Sequence, residues 1–320
     1  MIVSMKPPYQ ITHLILLRTA SISEKIGAIK SYFLERPSPL LRKQNKIKTI
    51  HSSLKIEGNT LTQDQITSIV ENKRVIGPQK DIKEVLNAVK VYDQLSQFDP
   101  FSSKSFLSAH NLLLDGLIEN PGKYRNQNVG IFEGSRVAHV APPYEKVPML
   151  MKDLFSYLKR KDEMTLIKSC VFHYETEFIH PFLDGNGRMG RLWQTVILMK
   201  EYPVFEYLPF ETLISHTQKE YYEVLAKCDN RGDSTEFIEY MLNIIDGSLN
   251  ELLSFNNRLV TDIERINYFI SMAKSEFSRK DYMNVFRNLS SATASRDLKK
   301  GVDLKLFTRV GEKNKTTYKH

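Results

Sequence analysis

Cysteine, tryptophan and long apolar runs are what this 320-residue chain has least of. Its two cysteines, Cys170 and Cys228, fall on apolar helical patterns. They form no metal spacing and leave nothing for a disulfide framework. No run of eighteen apolar residues occurs, so no membrane-spanning helix is expected. Residues 1–17 carry only a short apolar patch, Leu14 to Leu17, set off from Ile11 by Thr12 and His13. A basic stretch followed by a long apolar core and a small-residue cleavage site is missing, so no signal peptide is expected. No repeat and no low-complexity tract is present. Together these absences predict a reduced, cytoplasmic setting with no membrane partner.

What is there is ordinary in bulk and uneven in charge. Hydrophobic residues make up 41% and charged residues 26% of the chain, as in soluble globular proteins. The net charge is +8, but residues 258–320 hold fourteen Lys/Arg against seven Asp/Glu and so supply +7 of it. A basic tail end on a nearly neutral body suits an acidic partner, nucleic acid first.

Apolar spacing predicts a mainly α chain. Helices are expected over 21–35 with Ser21 or Ser23 as N-cap, stopped by Pro37 and Pro39, and over 40–57, closed by a left-handed cap at Gly58-Asn59. Thr62 should cap a helix over 63–71. Further helices are expected over 80–98, 103–117, 147–160, 164–179, 191–202, 219–228 and 234–259. Residues 128–140 instead suggest a short β-hairpin turning near Glu133-Gly134-Ser135. At the C-terminal end, helices over 262–275, 279–286 and 290–300 precede Gly301, Lys305-Leu306-Phe307 and Thr317-Tyr318, a candidate two-stranded wing.

One loop between two of these helices concentrates chemistry: His180-Pro181-Phe182-Leu183-Asp184-Gly185-Asn186-Gly187-Arg188-Met189-Gly190-Arg191. Pro181 suits a helix end. Gly185 and Gly187 let backbone N–H groups turn inward at the start of the next helix, a natural anion cradle. A neutral His180 can take a proton from a hydroxyl. Asp184 is a hard oxygen ligand suited to Mg²⁺ bound together with phosphates. Arg188 and Arg191, three apart, share a helix face and can fork onto phosphate oxygens. A capped helix end with a solvated Arg pair explains each residue singly, but a structural loop needs no such collection.

These residues resemble the Fic motif, HxFx(D/E)GN(G/K)RxxR, at every specified position. The resemblance implies a Fic helical core that transfers AMP from ATP to Ser, Thr or Tyr hydroxyls of proteins, with Mg²⁺ or Mn²⁺. It implies that His180 is the general base, Asp184 the metal ligand, and Gly185 to Arg191 (Gly185, Asn186, Gly187, Arg188, Met189, Gly190 and Arg191) the ATP and phosphate site. Arg191 would take the γ-phosphate. Relatives that phosphorylate usually lose the Asp-Gly pair; this chain keeps it.

Three other segments extend the resemblance. Gly122-Lys123-Tyr124-Arg125, then Val129-Gly130-Ile131-Phe132 and Pro142-Pro143, is similar to the family's flap. That flap would dock a protein target by strand addition, with Val129 to Phe132 bordering the nucleotide. Tyr222 falls on the adenine-side segment, or is simply a core aromatic. Ser53-Leu54-Lys55-Ile56-Glu57-Gly58 fits the inhibitory pattern (S/T)xxxE(G/N). Glu57 would then hold Arg191 and keep the enzyme off, and would also permit removal of AMP. The expected organisation is 1–100, an N-terminal helical region with the inhibitory helix; 101–259, the Fic core; and 260–320, a winged helix-turn-helix resembling modules often appended to Fic proteins. That module would contact DNA or protein. Self-modification and homo-oligomers are compatible with this organisation. The competing expectation is a DNA-binding regulator whose Fic core only senses nucleotide.

Overall fold

The computed structural model describes residues 6–31, 39–133, 136–258, 262–270, 273, 275–286, 289–311 and 316–319. The fold is mainly α. In chain order it runs α1 (His13–Ser31), α2 (Pro39–Ile56), α3 (Gln63–Val70), α4 (Gln79–Tyr92), α5 (Ser103–Leu113), β1 (Gly130–Glu133), β2 (Arg136–Val140), α6 (Val147–Leu158), α7 (Thr165–Ile179) and α8 (Asn186–Glu201). Then follow α9 (Glu211–His216), α10 (Gln218–Arg231), α11 (Thr235–Arg258), α12 (Asp262–Ile270), β3 (Glu276–Ser278), α13 (Arg279–Val285), α14 (Ser291–Asp303), β4 (Thr308–Val310) and β5 (Thr317–Lys319). Two compact units result, Met1–Glu35 with Asn45–Leu249, and Arg36–Gln44 with Asn250–His320.

In the first unit α7 and α8 form an antiparallel pair joined by the loop at His180. Beneath that loop Phe106, Phe155, Phe172, Phe182 and Trp193 are buried and stack edge-on or face-on, with centroids 5.1–6.4 Å apart. Such rings contribute roughly 1.5–3 kcal/mol each by burial, so the loop stands on a rigid floor. The indole Nε1 of Trp193 donates to the Pro100 carbonyl at 3.2 Å, which satisfies its polar atom.

Helix ends follow local chemistry, with informative exceptions. Thr62 caps α3 in a reciprocal capping box with Gln65. Gly58 takes φ +89°, the left-handed cap expected after α2. Ser21 and Ser23, however, are not N-caps: both lie inside α1, with Ser23 Oγ donating to the Thr19 carbonyl at 2.8 Å and Ser21 Oγ to Asp246 at 2.7 Å. The cap is Thr12, whose Oγ1 accepts the Ile15 N–H at 3.2 Å. Pro39 opens α2 rather than stopping a helix, since a first-turn proline forfeits no helical bond; Pro37 lies outside the described residues. The helix expected over 80–98 ends at Tyr92 and gives way to a 3₁₀ turn at Leu95–Gln97. Helix α9 is too short to show an apolar period in the sequence.

β1 and β2 pair antiparallel, Gly130 opposite Val140, with a bulge between Ile131 and Phe132; the expected turn at Gly134-Ser135 lies outside the described residues. In the second unit Ile266, Phe269, Phe277, Tyr282, Ala294, Leu298, Phe307 and Tyr318 form the core. Its sheet has three antiparallel strands in the order β3-β5-β4, not two. The strand Glu276–Ser278 is not apparent in the sequence because one polar–apolar–polar triplet is too short to stand out as a period. Lys305, at φ +59°, and Leu306-Phe307 form the turn before β4, not a strand. Gly301 lies within α14, where a Cβ would run into the Phe307 ring.

Candidate functional site

α7 ends where the chain turns left-handed: His180 has φ +49° and ψ +60°. The sharp reversal carries its side chain to the start of α8. Ring atom Nδ1 lies 3.3 Å from the Glu177 carbonyl. A carbonyl can only accept, so the proton of the neutral ring resides on Nδ1 and Nε2 is the basic nitrogen. Gly185, the N-cap of α8 at φ +87°, is the second reversal; a Cβ there would fall 2.8 Å from Leu114. Asn186 turns its amide back on Phe182, accepting the N–H at 2.8 Å and donating to the carbonyl at 2.9 Å. Its side chain thus braces the loop, and the first-turn N–H groups of α8 are the kind of donors that can cradle an anion.

The two arginines are buried and held by carboxylates. Arg188 gives Nη2 to Asp184 Oδ1 at 2.8 Å and Nη1 to Glu84 Oε1 at 3.2 Å. Arg191, wholly buried, gives Nη2 to Glu57 Oε1 at 2.6 Å and to the Ser53 carbonyl at 3.1 Å, and Nε to Ser53 Oγ at 3.1 Å. Burial opposes its charge, but Glu57 and other anionic neighbours more than offset that and raise its pKa. Arg191 Nη1 and Arg188 Nε are buried without a hydrogen-bond partner, as donors awaiting an anion would be. Glu57 also overhangs the cradle: a Cβ on Gly187 would fall 2.5 Å from Glu57 Oε1.

Asp184 is the exposed member, with its side chain 44% accessible. Among the described residues no group of three or more His, Cys, Asp or Glu is placed to hold a metal alone. A single open carboxylate beside an anion cradle instead suits Mg²⁺ shared with ligand phosphates, which keeps most of its shell in water and phosphate oxygens. Met189 is fully buried, and Gly190 lies against His173 and Glu177 of α7, where a Cβ would fall 2.6 Å from the imidazole. Gly190 therefore serves the close packing of α8 on α7. Val129 precedes β1, and Gly130, Ile131 and Phe132 lie in it. Tyr222 is half exposed and its hydroxyl donates to the Ile56 carbonyl at 3.4 Å, next to Glu57. Its neighbour Tyr221 is the core aromatic, buried against His173 and Phe237.

Three further residues meet the loop: Arg125, from the flap-like segment, and His110 and Glu84, which are not apparent in the sequence. His110 of α5 accepts the Gly122 N–H on Nδ1 at 2.8 Å and donates from Nε2 to the Asp184 carbonyl at 3.0 Å. Its ring stacks on Phe182 at 3.6 Å, and burial lowers its pKa to about 4. Arg125 is buried and donates Nε to the His180 carbonyl at 2.8 Å, Nη1 to the Gln127 carbonyl at 2.9 Å, and Nη2 to the carbonyls of Pro142 and Ile179. It thereby joins the His180 loop to both feet of the hairpin. Glu84, in the middle of an amphipathic helix, gave only the signal of an acid on an apolar face.

The Fic/DOC family model matches residues 100–198, which contain the hairpin, the loop and most of α8. The crystal structure of a Fic family protein from Desulfovibrio desulfuricans G20 is 40% identical, with 98% of each chain covered and a TM-score of 0.78. A relative named protein adenylyltransferase Fic, from Nematostella vectensis, is 29% identical over 222 residues, covering 64% of this chain and 48% of that protein. One named protein adenylyltransferase fic-1, from Caenorhabditis elegans, is 30% identical over 214 residues, covering 62% and 40%. The chain thus spans about half the length of the curated relatives it matches. With the motif folded as a loop between two packed helices and a near full-length relative of the same architecture, this chain belongs to the Fic family.

Proposed function

We propose that this protein is an adenylyltransferase that moves AMP from ATP to Ser, Thr or Tyr hydroxyls of proteins, and that Glu57 holds it inactive. The observation that carries the reading is the convergence on one loop of His180, Asp184, the open end of α8 and two buried arginines with unpartnered donors. His180 Nε2 takes the proton of the target hydroxyl, whose oxygen attacks the α-phosphorus. The bond to the bridging oxygen breaks, and pyrophosphate leaves. Backbone N–H groups at the start of α8, with Arg188 and Arg191, hold the phosphates and neutralise the charge that develops on them. Mg²⁺ or Mn²⁺, held by Asp184, would supply further charge neutralisation on the phosphates. Relatives named protein adenylyltransferase support this chemistry for the chain.

Glu57 occupies Arg191, the partner that a γ-phosphate would need, which supports inhibition from within the chain. The same carboxylate, released, can orient a water for removal of AMP. The β1–β2 hairpin offers an edge for an extended protein target, and Tyr222 stands where it can border the base. For the second unit, the order α12–β3–α13–α14–β4–β5 with a three-stranded sheet supports a winged-helix reading. Arg279, Lys280, Lys299 and Arg309 line one groove there, which suits duplex DNA bound with steep salt dependence. The division into an inhibitory region, a Fic core and this module is our proposed organisation, with function in the cytoplasm, open to self-modification and homo-oligomers.

Labelling with α-labelled ATP tests the reading. Covalent label should appear on protein with Glu57→Gly and vanish on adding His180→Ala. Nucleotide binding by Glu57→Gly without any covalent label would instead favour a nucleotide-sensing regulator.

A further inference from the structure

The turn that carries Glu57 is fastened to α4, and the fastening runs through the carboxylate that holds the other arginine. Asn59 follows Glu57 and Gly58. Its Nδ2 donates to Glu84 Oε2 at 2.8 Å and to the Asp81 carbonyl at 3.1 Å, while its Oδ1 accepts the Leu61 N–H at 3.1 Å. Thr60 gives both its N–H and its hydroxyl to Asp81 Oδ2, at 2.8 and 2.6 Å. The second oxygen of Glu84, Oε1, takes Arg188. Asn59, Glu84 and Arg188 are all less than one-tenth exposed, where a charge-assisted hydrogen bond is strong and an unpaired partner is costly.

We propose that Asn59 and Glu84 are positioning residues that set the strength of the Glu57–Arg191 latch. This inference rests on the inhibitory reading of Glu57 and names its regulation. Glu57 lies just past the C-terminal end of α2, where the helix dipole disfavours a carboxylate, beside a glycine whose backbone is free to relax. Its carboxylate stays on Arg191 because residues 59–60 are pinned two steps away. Glu84 is the anionic acceptor for that pin, and Arg188 neutralises it so that the charge can remain buried. One carboxylate thereby ties the inhibitory turn to the arginine that the turn itself does not touch.

The test is the self-labelling rate of the full chain at equal protein and saturating α-labelled ATP. Asn59→Ala should label roughly tenfold faster than the parent, the factor that one charge-assisted hydrogen bond sets. Added to Glu57→Gly it should give no further gain, because the latch is already gone. A merely structural Asn59 would instead slow Glu57→Gly and leave the parent no faster. Asn59→Asp alone sets two anions together and should also activate. Asn59→Asp with Glu84→Gln restores the 59–84 bond with donor and acceptor exchanged at unchanged cluster charge, and should label more slowly than Asn59→Asp, though faster than the parent because an aspartate cannot donate to the Asp81 carbonyl. An Asn59→Ala rate no faster than the parent, with Glu57→Gly fast, overturns this inference and leaves the inhibitory reading standing. A double exchange as fast as Asn59→Asp overturns it too. If Glu57→Gly is no faster than the parent, the inhibitory reading fails, and this inference with it.

Discussion

Glu57 and Glu84 each place a carboxylate on one arginine of the motif, yet they are different kinds of contact. Glu84 stands within a helix, 8% exposed, with both oxygens engaged and its arginine partner 5% exposed. Glu57 stands on a turn, 26% exposed, and meets a wholly buried guanidinium that keeps one nitrogen unpartnered. In the first pair the acid is sealed, with both of its oxygens engaged. The second is open on one side, so Arg191 can exchange one anion for another. Exposure of the acid, rather than the length of the bond, separates a brace from a latch.

The largest expected effect probes what the latch guards. Adding His180→Ala to Glu57→Gly should cut AMP transfer by about 10²–10⁴, with nucleotide affinity, read by calorimetry, nearly unchanged. Transfer within tenfold of the single variant would remove His180 as the base.

Stability then sets the brace against the latch. Glu84→Ala leaves a buried guanidinium short of its partner and should cost about 3–5 kcal/mol in denaturant unfolding. Glu57→Ala, at a partly exposed acid, should cost about 1 kcal/mol or less. Equal costs would erase the distinction drawn between them.

A third acid sharpens the comparison from behind Arg191. Glu211 is fully buried, and burial raises its pKa from 4.5 to about 8 despite the lowering pull of Arg191, Thr49 and Thr195. Between those values the folded protein keeps a proton that the unfolded chain has lost. Stability therefore falls as pH rises from 4.5, and the loss is complete above 8. Glu211→Gln removes the titration and should gain about 3 kcal/mol near pH 7 and little at pH 4.5. A gain that does not vary between pH 5 and 8 would show that the carboxyl does not titrate there.

The smallest effect is the latch itself. Glu57→Gly should speed self-labelling roughly ten- to over a hundredfold, the equivalent of one charge-assisted hydrogen bond of about 1.5–3 kcal/mol. Arg191→Ala should abolish the gain. A fold-intact Glu57→Gly no faster than the parent would mean that this ion pair inhibits nothing.

Much of this was legible in the sequence because it depends on neighbours along the chain. The Gly58 cap, the Thr62 cap and the glycine reversal at Gly185 follow from local chemistry within a few residues. Where local signals compete, the sequence misled: Ser21 and Ser23 are good caps in isolation, but the apolar stripe from Ile15 to Ile29 extends the helix past them. Three-residue strands and α9 are too short for a period to emerge. Asn186 is placed by the sequence among the phosphate ligands, whereas its amide is used to close the loop on Phe182.

The sequence by itself determined much of the loop: its residue types, the glycine reversal at Gly185 and its place between two helices are properties of consecutive residues. Only the tertiary structure decided who faces it. Glu57, 134 residues from Arg191, is marked in the sequence by the pattern it resembles, but Glu84, 104 residues from Arg188, and His110, 74 residues from Asp184, are single polar residues on otherwise ordinary helices. Nothing in their local spacing distinguishes them from solvated ones, because the partner that makes each burial tolerable is supplied by a distant helix only once the core has packed.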